Sequence, residues 1–277
     1  MSTAKTGLRR WAVAISMGLS CATAAATVRT PAYPFIVPPR QAQAREKAVY
    51  GRIAQYLKKA TGAPITFHYV SNWLTYMADV HANKAALYFD GPSFIGWRIA
   101  HYHDHVLVAL TGSLTFVVVG STHDTRIQRV RNLIGRGVCT FSPPNLGTLT
   151  LDSRFRNPSR QPFTIPIHSF TQQVRDLIAG KCDAGIQPLP VYLRMAHRFP
   201  GKLRIITKLP PLPNQAFSVS AGVPKALRRK ITSALLSPGG SAATLPLRAM
   251  FGHKTLIRVH NKTYTADAKL LNGMAGF

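Results

Sequence analysis

A chain of 277 residues with 46% hydrophobic content can bury a sizeable core and is too apolar for wholesale disorder. Its 35 Lys plus Arg face only 9 Asp plus Glu, a formal net charge of +26. The cations are scattered through every segment instead of forming a stripe or tail with interleaved aromatics, which argues against nucleic acid as the partner.

Residues 1–26 read as a secretory signal. Lys5, Arg9 and Arg10 form a basic start, residues 11–19 a short apolar run, and residues 22–26 a small-residue stretch cleavable after Ala24 or Ala26. The alternative is an uncleaved anchor. Gly18-Leu19-Ser20-Cys21 faintly resembles a lipoprotein box, with Gly18 where a Leu is wanted. No later stretch approaches the roughly 20 apolar residues of a spanning helix.

Beyond the signal, short β-branched or apolar runs alternate with 3.6-period segments, which predicts α/β architecture with largely parallel sheets. Residues 33–37 form the first expected strand, closed by Pro38-Pro39. Residues 42–60 follow as a helix with Val49, Ile53, Leu57 and Ala60 on one face, stopped at Thr61-Gly62. A strand over 64–70, a helix over 72–81 opened by Asn72, and a strand over 85–89 come next. Asp90-Gly91-Pro92 turns into a helix through Trp97, and apolar runs 105–110 and 114–119 complete the first half.

The second half repeats the pattern. A strand over 137–141 leads through Ser142-Pro143-Pro144 to a helix from Asn145. A strand over 163–167, a helix over 171–179 and a strand over 183–186 follow. A Pro-rich connection at 209–213 precedes a strand over 216–221, a helix over 224–236 and a helical tail. Two βαβ units joined near Gly112 and again near Pro213 predict two lobes, 27–112 with 214–277, and 113–213.

Removal of the signal leaves Cys139 and Cys182. An even pair in an oxidising compartment favours a disulfide, and free buried thiols are the alternative. Neither a C-x-x-C nor a C-x-x-C-H motif occurs. His101, His103 and His105 alternate, so an extended segment would place three imidazoles on one face as a zinc or copper site requires; a solvated His-rich loop is the plainer reading. No recognisable Ser/His/Asp spacing, Walker loop or Rossmann fingerprint is present.

Three stretches carry a family resemblance: Tyr88-Phe89-Asp90-Gly91-Pro92-Ser93-Phe94, residues 137–149 from Gly137 through Pro143-Pro144-Asn145-Leu146-Gly147-Thr148, and Gly180-Lys181-Cys182-Asp183-Ala184-Gly185-Ile186. They resemble the phosphate/phosphite/phosphonate-type substrate-binding proteins of ABC importers, which have the type II periplasmic-binding-protein fold. The likeness extends over residues 210–217 and 270–277. It implies two lobes closing like a hinged trap on a small anion, with a membrane permease as partner, no cofactor and a monomeric state. A related role, sensing ligand for a membrane histidine kinase, is left open by the sequence.

The expected site lies at the carboxyl ends of parallel strands, where helix N-termini present free N–H groups to anions. In the first lobe it comprises Asp90, Gly91 and Ser93, with ordinary turn chemistry as the alternative. In the second it comprises Asn145, Leu146, Gly147 and Thr148, where a plain helix cap would explain Asn145 as well. His168 and Gln187 end strands facing the same gap, and Tyr33, Arg40 and Tyr88 are looser candidates. Family members that bind aminophosphonates are expected to surround the ammonium with acids. Gln187 and the shortage of carboxylates favour a simple oxyanion or a neutral organic molecule instead. An enzyme on the same fold would need a nucleophile and base, for which His168 near Cys139 is the one plausible pair.

The acid shortage has its own reading. A protein that depends on ionised carboxylates loses stability as they protonate, whereas a chain that has shed them has little to lose. Function in a strongly acidic periplasm, as in an acidophile, is the resulting expectation.

Overall fold

The structure, a computed structural model, describes residues 1–3, 32–272, 274 and 277. The secretory-signal reading, with Cys21, falls on residues 4–26 and lies outside the described residues. Residues 1–3 are exposed coil, and Ala32–Phe277 forms one unit.

The first lobe begins with β1 (Tyr33–Ile36), α1 (Gln43–Glu46), a π-helical turn (Lys47–Gly51) and α2 (Arg52–Thr61). Ile53, Ala54 and Leu57 form the buried face of α2. Gly62 ends it at φ 74°, a left-handed conformation that costs glycine little. Then come β2 (Ile65–Phe67), α3 (Trp73–His81), β3 (Leu87–Asp90), α4 (Pro92–Tyr102) and β4 (His105–Leu110). Asn72 caps α3, its Oδ1 accepting the Thr75 N–H at 2.9 Å.

The chain leaves through β5 (Ser113–Leu114) and builds the second lobe from β6 (Phe116–Ser121), β7 (Gly137–Thr140), α5 (Leu146–Asp152), β8 (Phe163–Pro166), α6 (Phe170–Ile178), β9 (Ala184–Pro188), α7 (Leu189–Arg198) and β10 (Leu203–Lys208). It returns through β11 (Leu212–Pro213) to β12 (Ala216–Val219), α8 (Lys225–Leu236), α9 (Pro238–Phe251) and β13 (Leu256–Arg258). A last 3-10 segment, Thr265–Leu270, packs back on α4. The contact is close: a Cβ on Gly96 would sit 2.5 Å from the Tyr264 carbonyl oxygen.

The six-stranded sheet runs β13-β4-β12-β3-β1-β2 and the five-stranded sheet β10-β6-β9-β7-β8, with β5 and β11 paired as a separate ribbon. The two-lobed α/β class is therefore present, but the sheets are mixed where parallel pairing was expected to dominate. β1 with β2 and β3, and β7 with β8 and β9, are parallel. β12 and β6 pair antiparallel to their neighbours. Both enter directly from the other lobe without a crossover helix to reverse the chain, and hydrophobic periodicity reports burial, not strand direction.

No element was expected over α7, whose start carries Pro188 and Pro190. Both stand at or before the first turn, where the N–H that proline lacks would be unpaired anyway. Cys139 and Cys182 form a disulfide with Cα atoms 5.8 Å apart, joining β7 to the turn before β9.

A charged cluster lies inside the first lobe. Arg98 of α4 is fully buried and grips Asp90 bidentately at 2.7 and 3.1 Å; its Nε donates to Asp104 at 3.1 Å and its Nη2 to Ser218 Oγ at 2.7 Å. The Tyr88 ring lies 3.8 Å beneath the guanidinium, and the Tyr76 hydroxyl donates to Asp90. Burial would lower the Arg98 pKa, but Asp90, Tyr76 and Tyr88 together more than offset it and the net shift is upward. Burial raises Asp104 to about 6 although Arg98 opposes it.

Candidate functional site

α4 and α5 start where β3 and β7 end, and they bring the lobes into contact. Leu149 of α5 is buried with Phe94 and Trp97 of α4, and a Cβ on Gly91 would lie 3.8 Å from Leu146 Cδ2. Beside this contact lies a cavity of about 500 Å³. Its polar groups include Arg40, Ser93 and Gln215 from the first lobe and Asn145 and Arg194 from the second. Its apolar wall includes Trp73, Phe94 and Phe251 on one side and Phe116, Leu146 and Phe170 on the other. No Asp or Glu is among the described residues that line it.

Arg40 is held from below. Its backbone N–H donates to Glu46 Oε1 at 2.8 Å, and that of Gln41 does so at 3.1 Å. Burial nevertheless raises the Glu46 pKa. The Arg40 guanidinium lies 5.6 Å over the Phe251 ring, and its Nη1 is shielded from solvent without a hydrogen-bond partner. Gln215 Oε1 is likewise buried and unpartnered. His253, also in the lining, shares a 2.9 Å hydrogen bond between Nε2 and Asn214 Nδ2, and burial lowers its pKa.

The structure brings Gly91, Ser93, Asn145, Leu146 and Arg40 to this cavity and puts the other expected residues elsewhere. Asp90 is spent on Arg98 and Tyr76, so its side chain belongs to the first-lobe interior. Tyr88 lies under Arg98, its hydroxyl accepting the Ala85 N–H, and Tyr33 packs against the first-lobe core. The Gly147 N–H donates to Asn145 Oδ1 at 3.0 Å, and the Thr148 hydroxyl donates to the Phe141 carbonyl at 2.6 Å. The expected second-lobe cradle thus spends these groups inside its own turn. His168 is exposed and outside the lining. Gln187 is buried, its Nε2 donating to Gln173 Oε1 at 2.7 Å; Gln173 in turn donates to the carbonyls of Cys139 and Ile186.

The alternating histidines do not share a face. His101 stacks on Trp97 at 4.4 Å, His103 caps α4 at φ 57°, and His105 opens β4, so the chain turns between them. Among the described residues no group of three His, Cys, Asp or Glu side chains could hold a metal ion. Cys139 is in a disulfide, so the Cys139–His168 pair has no thiol.

Sequence reasoning missed Arg194, His253, Gln215 and the aromatic wall. Arg194 rides on α7, over which no element was expected, and His253 follows α9, where only a helical tail was foreseen. The Asn72 cap ahead of Trp73 was the one local signal that could have led to the wall.

Two mixed α/β lobes linked by a paired ribbon, with a cavity between them, define a two-lobed ligand clamp. The family model for the periplasmic substrate-binding protein of phosphonate ABC transporters matches residues 35–264, and the chain belongs to that family. No curated protein matches it. Among solved structures, a binding protein component of an ABC phosphonate transporter from Pseudomonas aeruginosa superposes with TM-score 0.63 at 11% identity, over 87% of this chain and 85% of that one. A Prochlorococcus marinus protein in complex with methylphosphonate gives 0.67 at 12%, over 89% and 99%. A Xanthomonas citri protein bound to ATP gives 0.68 at 9%, over 88% and 99%. At such identities the likeness is one of fold. Among the described residues no helix is long and apolar enough to cross a membrane.

Proposed function

We propose that the chain is the extracytoplasmic solute-binding component of an ABC importer, holding a small oxyanion of the phosphate, phosphite or phosphonate class between its lobes. The observation that carries this reading is a cavity with an arginine from each lobe, Arg40 and Arg194, and no carboxylate among its described lining residues. The Arg40 guanidinium lies beside the Tyr50 hydroxyl and the Glu46 carboxylate, yet its Nη1 is buried without a well-formed hydrogen bond. An oxyanion in the cavity would satisfy it, and the planar fork of arginine matches such oxygens. The Ser93 hydroxyl and the first free N–H groups of α4, which Pro92 opens without a side-chain cap, add donors. The same lining offers an ammonium no counter-charge, so aminophosphonates are disfavoured.

Closure would turn about the β5–β11 ribbon, and the closed population would be the signal to a permease. Nothing in this role requires a bond to be broken. Residues 1–26 would direct export and be removed, and the shortage of carboxylates suits an acidic periplasm. The family being one of transporter components, import is preferred here over kinase sensing.

Thermal-shift titration with phosphate, phosphite, methylphosphonate, sulfate and arsenate tests the reading, because a ligand selective for the native state raises its melting point. At 100-fold excess over Kd the gain is about 2.7 kcal/mol. Arg40→Gln should abolish it. The proposal is lost if no anion at millimolar concentration moves the transition.

A further inference from the structure

The cavity is larger and more apolar than an inorganic oxyanion needs. Its volume of about 500 Å³ lies within the roughly 300–1,000 Å³ that holds a drug-sized ligand. Counted as liquid water, it is room for about 17 molecules at ~30 Å³ each. A tetrahedral oxyanion would displace a few of these and leave the rest against hydrocarbon. The space is partly open to solvent, and the lobes touch beside it at Leu146, Leu149, Gly91 and Phe94.

The wall is aromatic from both sides. Trp73 and Phe94 stack nearly parallel, 6.2 Å apart at 16°, and Phe251 lies under the Arg40 guanidinium. Across the cavity stand Phe116 and Phe170, the latter set edge-on to Phe141 at 5.2 Å. Phe94 and Phe116 are already covered by core, so the aromatic surface left for a ligand is that of the half-buried Trp73, Phe170 and Phe251, which gain when water is excluded from them.

We infer that the solute is an organic oxyanion with an apolar, preferably aromatic, substituent and no ammonium: a phosphonate or phosphate monoester whose charged head meets Arg40 and Arg194 while its body fills the aromatic wall. This inference rests on the anion-binding reading above and adds to it the class of substituent. Burial of a phenyl group gives an affinity gain of about 10- to 100-fold over the methyl analogue, after losses for imperfect desolvation and ordering.

Isothermal titration of the full chain lacking residues 1–26 with phenylphosphonate, methylphosphonate, phosphate and benzyl alcohol provides the test. Phenylphosphonate is expected to bind at least 10-fold tighter than methylphosphonate, and benzyl alcohol far more weakly than either. Trp73→Ala and Phe170→Ala should each shrink the phenyl-to-methyl ratio severalfold, with ligand-free melting curves recorded to show that each variant is folded. Equal or tighter binding of methylphosphonate or phosphate overturns the apolar-substituent inference and leaves the oxyanion reading intact. Binding of benzyl alcohol as tight as that of phenylphosphonate, or no binding by any anion, overturns both.

Discussion

Replacing Arg98 with Met removes the cation that Asp90 and Asp104 share while roughly preserving the bulk over the Tyr88 ring. All three charged side chains are at most 1% exposed, so water cannot take over the lost hydrogen bonds. Removing one member of a buried pair costs about 3–5 kcal/mol, because the stranded charges remain in a poor solvent. For a protein of this size that lowers the melting temperature by roughly 6–20 °C at pH 7. Acid should soften the loss. Burial already holds Asp104 at about 6, and without Arg98 it should rise further, taking up a proton in the folded state before the unfolded chain does. A raised carboxyl pKa destabilises above itself and ceases to do so as the pH falls through it, so the deficit of Arg98→Met should shrink between pH 7 and pH 4. Urea unfolding at both values measures it, and titration with the preferred anion shows whether affinity stays within about threefold. A pH 7 deficit under about 1 kcal/mol, or one that does not shrink in acid, would refute the buried-cluster argument. A large affinity loss in folded protein would return Asp90 to the binding site.

Asp152 makes no side-chain hydrogen bond to any of the described residues, sits at the carboxyl end of α5 and is raised to about 6 by burial alone. Asp152→Asn should therefore stabilise the protein at pH 7 by about 1–2 kcal/mol, the value being discounted for partial exposure, and the gain should vanish below about pH 4. With Asp267 also raised to about 6 by burial, and Asp124 alone of the shifted carboxyls lowered, to about 2 by its hydrogen bond to Arg126, the carboxyls should add stability from pH 7 to pH 4. His105 and His253, whose pKa values burial lowers, oppose this gain, so that no collapse is expected above pH 4. A collapse above pH 4 in the unfolding curve would remove the acid-tolerance argument. The Cys139–Cys182 bridge closes a loop of 43 residues. The loop-entropy relation assigns it about 4 kcal/mol, so replacing both cysteines by Ala should cost 2–4 kcal/mol in urea unfolding. An unchanged midpoint would show that the denatured chain is constrained in other ways.

Local chemistry settled much of this protein in advance. The apolar spacing of Ile53 and Leu57 makes one face of a helix, Gly62 stops it, Asn72 starts the next, and Pro92 opens α4. Such signals act over a turn or two of chain and read directly from the order of residues. Strand direction, the spending of polar groups and the assembly of the cavity do not. Asp90 read as a ligand-facing turn residue, but Arg98 from the following helix, itself held by Ser218 of a returning strand, and Tyr76 claim it. Thr148 had a hydroxyl to offer until the Phe141 carbonyl took it. Arg40 and Arg194 became companions because two lobes, each completed by chain from elsewhere, close around one space. A side chain's type and periodicity are properties of the sequence, but which partner satisfies it depends on long-range packing.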